Sequence, residues 1–190
     1  MQDLVLNPTQ LSQWHTLVNE AQQSADCSLD QEVESYLIFL LIRFTTKADM
    51  ANRFLGLDYL ESLQQHGRRR INELKDVGDH CLLFSGLFPQ IAKHRRVKIS
   101  YFVDLGRSAY SQLSAHAEHS EHALFNELAH SFVSLMDVLQ TMRADGTCLD
   151  PLQAYELWHD TGSQSAYNAL NQDKTTEPRI LSKDTSSSRH

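Results

Sequence analysis

Apolar residues recur with helical spacing along almost the whole chain. Leu11, Trp14, Leu17, Val18 and Ala21 share one helix face, which Thr9, after Pro8, can cap; the spacing predicts a helix through Gln22. Asp30 begins a second helix, with Glu32 and Glu34 in its first turn, where acidic side chains suit the helix dipole. That helix extends to about Thr46. Its centre, residues 36–42 (YLIFLLI), is apolar on every side, which predicts the central helix of a bundle. A buried strand is the rival reading of this run. The flanking acidic and polar residues continue the helical spacing and favour the helix. Two short helices, 48–55 and 58–65, are predicted on either side of Gly56. Gly67 precedes a long helix over residues 68 to about 87, which Pro89 ends. Residues 90–98 read as a basic connection, followed by a helix from about 100 to 117. Residues 118–121 read as a turn or a continuation. Leu124, Phe125, Leu128, Phe132, Leu135, Met136 and Leu139 predict one amphipathic helix ending near Gly146. Asp150-Pro151 supplies an N-cap and a proline at the first helical position. A short helix continues from Gly162 to about Asn171.

These elements predict an all-α fold, a single-domain irregular bundle of about seven to nine helices over residues 1–171. Leu37, Phe39, Leu40, Leu83, Phe84, Leu87, Phe102, Leu105, Phe132 and Leu135 are its expected core. Residues 172–190 (NQDKTTEPRILSKDTSSSRH is the surrounding string) are poor in apolar side chains and rich in Ser and Thr, so a disordered C-terminal tail is expected. The chain has 190 residues, 41% hydrophobic and 22% charged, as in an ordinary globular protein. Seven Gly and four Pro are too few for a sandwich built on many tight turns. Cys27, Cys81 and Cys148 are odd in number, far apart and outside any zinc-type spacing, which points to a reducing compartment, the cytoplasm. The start, MQDLVLNPTQ, lacks the pattern of a signal peptide, and the longest apolar run falls far short of the roughly 20 residues of a membrane helix. No membrane partner is expected.

Charge is sorted along the chain. Residues 1–42 hold six acidic and no basic side chains, residues 43–107 twelve basic against seven acidic, and residues 108–190 five basic against eleven. The basic middle is also rich in apolar residues, which makes it the candidate working surface. Arg68, Arg69 and Arg70 open the long helix, and Lys93, Arg95, Arg96 and Lys98 follow its end. At 1.5 Å per residue the two clusters lie about 30 Å apart. The net charge of −7 and the lack of interleaved aromatics argue against nucleic acid. Pairing with the chain's own acidic flanks is the simpler role for this charge.

Three further constellations carry possible chemistry. Gly78, Cys81, Ser85 and Gly86 form a small-residue stripe. Glycine inside a helix costs about 0.5–1 kcal/mol relative to alanine, which close approach of another helix would offset. Gly106 and Ala109 can meet that stripe. The alternative is a ligand pocket between the helices carrying Gly78 and Gly106, lined by Asp79, His80, Tyr101, Asp104 and Arg107, with Ser108 and Tyr110 nearby. Asp104 and Arg107 are spaced to pair on one helix face. The string HAEHSEH offers His116, His119 and His122 as metal ligands. Their steps of three residues fan them around a helix, and neither HExxH nor HxxEH is present, so no metal or other cofactor is assigned. Cys81 lies in an apolar helix, where a thiol is inert. No Gly-rich phosphate loop or nucleophile elbow occurs, and no catalytic residue is assigned.

The strings GDHCLLFSGLFP, KISYFVDLGRSAYSQL, LMDVLQTMR and LQAYELWHDTGS resemble an uncharacterised family of helical proteobacterial proteins, over roughly residues 30–165. The resemblance implies an all-helical bacterial cytoplasmic protein and implies nothing about mechanism. The leading expectation is a non-enzymatic interaction or regulatory protein that binds another protein through its basic, aromatic middle, at Arg68, Phe88, Arg95, Arg96 and Arg107. A homodimer is compatible with it.

Overall fold

The computed structural model describes residues 8–46, 59–61, 64–117, 119–143 and 149–173. Among these, nine helices are delimited: α1 Pro8–Ser24, α2 Gln31–Thr46, α3 Gly67–Gly86, α4 Gln90–Arg95, α5 Ile99–His116, α6 His119–His130, α7 Phe132–Thr141, α8 Pro151–Thr161 and α9 Gln164–Asp173. A further helical stretch lies at residues 59–61, and no strand occurs among the described residues. The fold is an all-α bundle, with the helix count at or just above the upper end of the predicted range. The short helix predicted at 48–55, positions 58, 62 and 63 of that at 58–65 and the tail beyond 173 lie outside the described residues.

The centre of the bundle is the antiparallel pair α3–α5. Gly78 meets Tyr110, Cys81 meets Gly106, and the rings of Phe84 and Phe102 lie 5.6 Å apart. Those three pairings descend along one helix as they ascend the other. α7 closes the pair from one side, with Leu139 against Gly86 and Phe132 against Gly106. α1 and α2 cover the bundle through Gln22, whose amide donates to Glu34 and whose carbonyl accepts from the Leu29 amide. The central position predicted for α2 is therefore corrected. Leu37, Ile38, Leu40, Leu41 and Ile42 are buried, but Phe39 is 51% exposed. An apolar run wider than its contact face leaves one residue outside. Leu87 and Leu105, also expected in the core, are half-buried, while the other seven expected core residues are buried.

Three boundaries differ from the reading of the sequence. The basic connection 90–98 contains the helix α4, which ends with Arg96 in the left-handed region at φ 56°. There the Arg96 amide donates to the Lys93 carbonyl at 3.2 Å and the Val97 amide to the Ala92 carbonyl at 3.0 Å, closing the last turn as glycine commonly does. The single amphipathic helix predicted over 124–146 is two helices that meet at Ser131. The C-terminal pair is split at Gly162, left-handed at φ 73°, where the sequence placed the break, but α9 continues to Asp173, two residues past its predicted end near Asn171. The Asp150 cap is as expected: its side chain accepts from the Leu152 amide at 3.1 Å, with Pro151 opening the helix.

Candidate functional site

Asp79 is fully buried on α3, in the middle of the bundle. Tyr36 of α2 and Tyr110 of α5 donate their hydroxyls to its Oδ1 at 2.6 and 2.7 Å, and Arg43 of α2 pairs with Oδ2. Tyr36 and Arg43 lie two turns apart, so one face of α2 presents both. Tyr36, Tyr110 and Phe125 pack as three rings with centroids 6.2–6.4 Å apart, and Tyr110 also touches Phe132. Burial, and then the Asp79 charge, push both phenols well above the ordinary tyrosine range, so each keeps the proton that it donates. Burial works against the Arg43 charge, but Asp79, Tyr36 and Asp76 outweigh it and raise the guanidinium pKa. Every donor is aimed at the carboxylate. The arrangement fastens α2, α3 and α5 in one register.

The glycine seam beside Asp79 is closed. A Cβ at Gly78 would lie 2.5 Å from the Tyr110 ring, and one at Gly106 would lie 2.5 Å from the Phe132 ring and 2.9 Å from Cys81 Cβ. The pocket proposed between these helices is therefore filled by side chains. Its expected lining separates: Asp79 and His80 are buried, while Tyr101, Asp104 and Arg107 are exposed. His80 Nδ1 bonds the Asp76 carbonyl at 2.5 Å, a contact within its own helix. Asp104 and Arg107 form no ion pair with each other, against the expectation from their spacing.

The residues expected to bind a partner also separate. Phe88 is half-buried, with its ring 5.4 Å from Phe44. The Arg95 guanidinium lies over the Phe84 ring at 5.5 Å. Arg68, Arg96 and Arg107 are exposed, on three different helix ends or faces. Elsewhere the basic middle does pair with an acidic flank: Lys98 Nζ lies 3.5 Å from both Glu156 and Asp160 of α8, and Ser100 donates to Asp160 at 2.9 Å. The charges of Asp160 and Glu156 raise the Lys98 pKa.

His116 Nδ1 bonds the Gln112 carbonyl, and His122 Nδ1 faces Ser114 at its carbonyl (2.9 Å) and hydroxyl (3.1 Å). The His119 side chain lies outside the described residues. Among the described residues no group of three or more His, Cys, Asp or Glu is placed to hold a metal ion. No described helix is long and apolar enough to cross a membrane. An open cleft of about 570 Å³ runs beside α5, where Asp104, Arg107, Ser108, Ser111 and Gln112 face Ala129 and His130 of α6, with Tyr59 at its edge.

Two features were missed in the sequence. The first is the exposed aromatic face of α8 and α9. Leu152, Tyr155, Trp158 and Tyr167 are 66, 51, 38 and 41% exposed. The Trp158 ring lies 6.2 Å from Tyr155 and 5.6 Å from Tyr167, so the rings form one continuous strip. The spacing of Leu152, Tyr155 and Trp158 by threes was the available signal. The second is Asp137, which is 5% exposed on α7. Its carboxylate accepts from Ser163 Oγ at 2.6 Å, Ser165 Oγ at 2.8 Å and the Gln164 amide at 2.9 Å, and so caps α9 from another helix. An acid between Met136 and Val138, in the apolar centre of the helix, was the signal there. No family model matches the chain, and no curated protein or solved structure matches it significantly.

Proposed function

We propose that this chain is a non-enzymatic interaction protein that binds another protein, with the aromatic face of α8–α9 as its docking surface. The observation that carries the reading is the strip of Tyr155, Trp158 and Tyr167 with Leu152 beside it. Four of the eight large apolar side chains that are exposed among the described residues fall on this one helix pair. Exposed large aromatics that cluster are a mark of protein contact, because Trp and Tyr bury much area at low entropic cost. Part of the basic middle then supports this surface through the pairing with an acidic flank that its charge suggested. Lys98 and Ser100 hold α8 against the bundle, and Asp137 holds α9, so the strip sits on a fixed base. The open faces of the rings fit a partner segment carrying Arg or Lys that can lie over them. A cytoplasmic location agrees with the unpaired Cys27 and Cys81.

The test is photo-crosslinking in the native host from a reactive residue placed at Tyr155, compared with the same residue at Phe39, an exposed aromatic outside the strip. A discrete adduct from position 155, lost when Trp158 and Tyr167 are changed to Ala with the helical signal unchanged, is expected. No adduct from position 155, or the same adduct from position 39, would overturn the reading.

A further inference from the structure

The cleft beside α5 is separate from the aromatic strip and carries an independent inference. Asp104, Arg107, Ser108 and Ser111 recur at the spacing that puts side chains on one helix face, and this face is opposite the one that Gly106, Ala109 and Tyr110 bury. Two opposite charges thus line one cleft, three residues apart. Neither has an ion-pair partner among the described residues, although such neighbours on a helix commonly pair. Other polar groups line or back the wall. Arg70 of α3 reaches the Gln112 carbonyl oxygen at 3.5 Å, which leaves the Gln112 amide as a donor to the cleft. The Arg70 Nε is itself buried without a hydrogen-bond partner. His130 Nδ1 bonds the Asn126 carbonyl at 2.7 Å, and so its Nε2 stays free for another contact.

We propose that this cleft binds a small zwitterion, with its phosphate or carboxylate group on Arg107, Ser111 and Gln112 and its ammonium group on Asp104. Side chains three apart on a helix have Cβ atoms about 5–6 Å apart, which matches a molecule whose two charges are separated by a short carbon spacer. The cleft volume lies in the range of small-molecule sites. A simple anion would meet Asp104 as a repulsive charge, and a simple cation would meet Arg107. Only a molecule carrying both charges satisfies the pair.

Backbone amide shifts measured by NMR during titration test this. Phosphoethanolamine and β-alanine are the two zwitterion probes; inorganic phosphate and propionate are their respective anionic half-probes, and ethanolamine is the cationic one. At least one zwitterion should produce saturable shifts at residues 104–112 and 129–130, and should bind about tenfold more tightly than either half-probe, the gain of one charged contact. Preference between the two zwitterions identifies the anionic group. Arg107→Gln should weaken that zwitterion about tenfold, and Asp104→Asn should bring it level with its anionic half-probe. Arg96→Gln, an exposed arginine away from the cleft, should change nothing. The proposal fails if no zwitterion gives saturable shifts, if Arg107→Gln binds as the wild type does, or if inorganic phosphate equals phosphoethanolamine with β-alanine silent. Asp104 and Arg107 are exposed, so the substitutions leave the core untouched.

Discussion

Asp79 takes up three donors from two other helices, and each contact has a separable energetic role. A hydrogen bond to a charged group contributes about 1.5–3 kcal/mol, and a buried partner left unsatisfied costs a further desolvation penalty. Tyr110→Phe removes one donor and leaves the carboxylate with Tyr36 and Arg43. It should destabilise the protein by about 2 kcal/mol. Asp79→Ala is worse, because it leaves both phenols without this acceptor and removes the carboxylate paired with Arg43. Breaking a buried ion pair costs about 3–5 kcal/mol, and the lower end applies here because the Arg43 side chain is one-third exposed and water screens it. Urea denaturation followed by circular dichroism measures both values. A loss below about 1 kcal/mol for Asp79→Ala would show that the cluster does not hold the register of α2 on α3 and α5. Asp79 was legible in the sequence as a polar residue beside glycine. Its burial was not, since Tyr36, Arg43 and Tyr110, each more than thirty residues away, together make that burial tolerable.

At the level of helices, the glycines set how closely α3, α5 and α7 approach. Gly106→Ala makes the point testable, because two effects oppose each other. Alanine improves helix propensity by about 1 kcal/mol, but its Cβ would meet the Phe132 ring and Cys81 at distances that force movement. Overpacking costs about 1–3 kcal/mol, so the variant should lose about 1–2 kcal/mol on balance. Phe132→Leu in the same chain should recover part of that loss, a coupling that a double-mutant cycle resolves. A Gly106→Ala variant more stable than the wild type would mean that the seam has slack. The seam itself was legible, because mid-helix glycines need a close neighbour. What filled it was not: the rings of Tyr110 and Phe132 occupy the place of glycine against glycine. Helix existence and period could be read almost throughout, and the Asp150-Pro151 and Gly162 signals located real ends. The break at Ser131 has no Gly or Pro to mark it, and the left-handed turn at Arg96 lacks the expected glycine. The first was therefore read through, and the helix that ends at the second was read as a connection. Long-range pairings such as Lys98 with Glu156 and Asp160, and the opening of a cleft on the outer face of α5, depend on packing between helices that a linear pattern does not encode.

Across the whole molecule, α8 and α9 are seated by a narrow apolar contact, in which Leu157 and Ala166 join the core, and by a few polar contacts. Only Ala154, Leu157 and Ala166 supply buried apolar side chains from the two helices. Asp137 is consequently the main link between α9 and the bundle, and its protonation should affect how firmly the aromatic strip is seated. Burial pushes the Asp137 pKa up, and the Ser163 and Ser165 contacts and the two backbone amides pull it back only in part. A carboxyl whose pKa is raised on folding binds its proton more tightly in the folded chain. Its contribution to stability is full below the unfolded carboxyl pKa of about 4 and is lost as pH rises through the higher folded value. Asp137→Asn cannot titrate, so it isolates this one group from the other carboxylates. Relative to that variant, the wild type should gain stability as the solution is acidified from neutral to about pH 4. Urea denaturation of both proteins in a Trp14→Phe background, where Trp158 is the remaining tryptophan, measures the difference at the helix pair itself. A difference that stays flat with pH, or one in which the wild type loses ground on acidification, would mean that the serine and amide donors dominate over burial and that Asp137 anchors α9 as a charge at every pH.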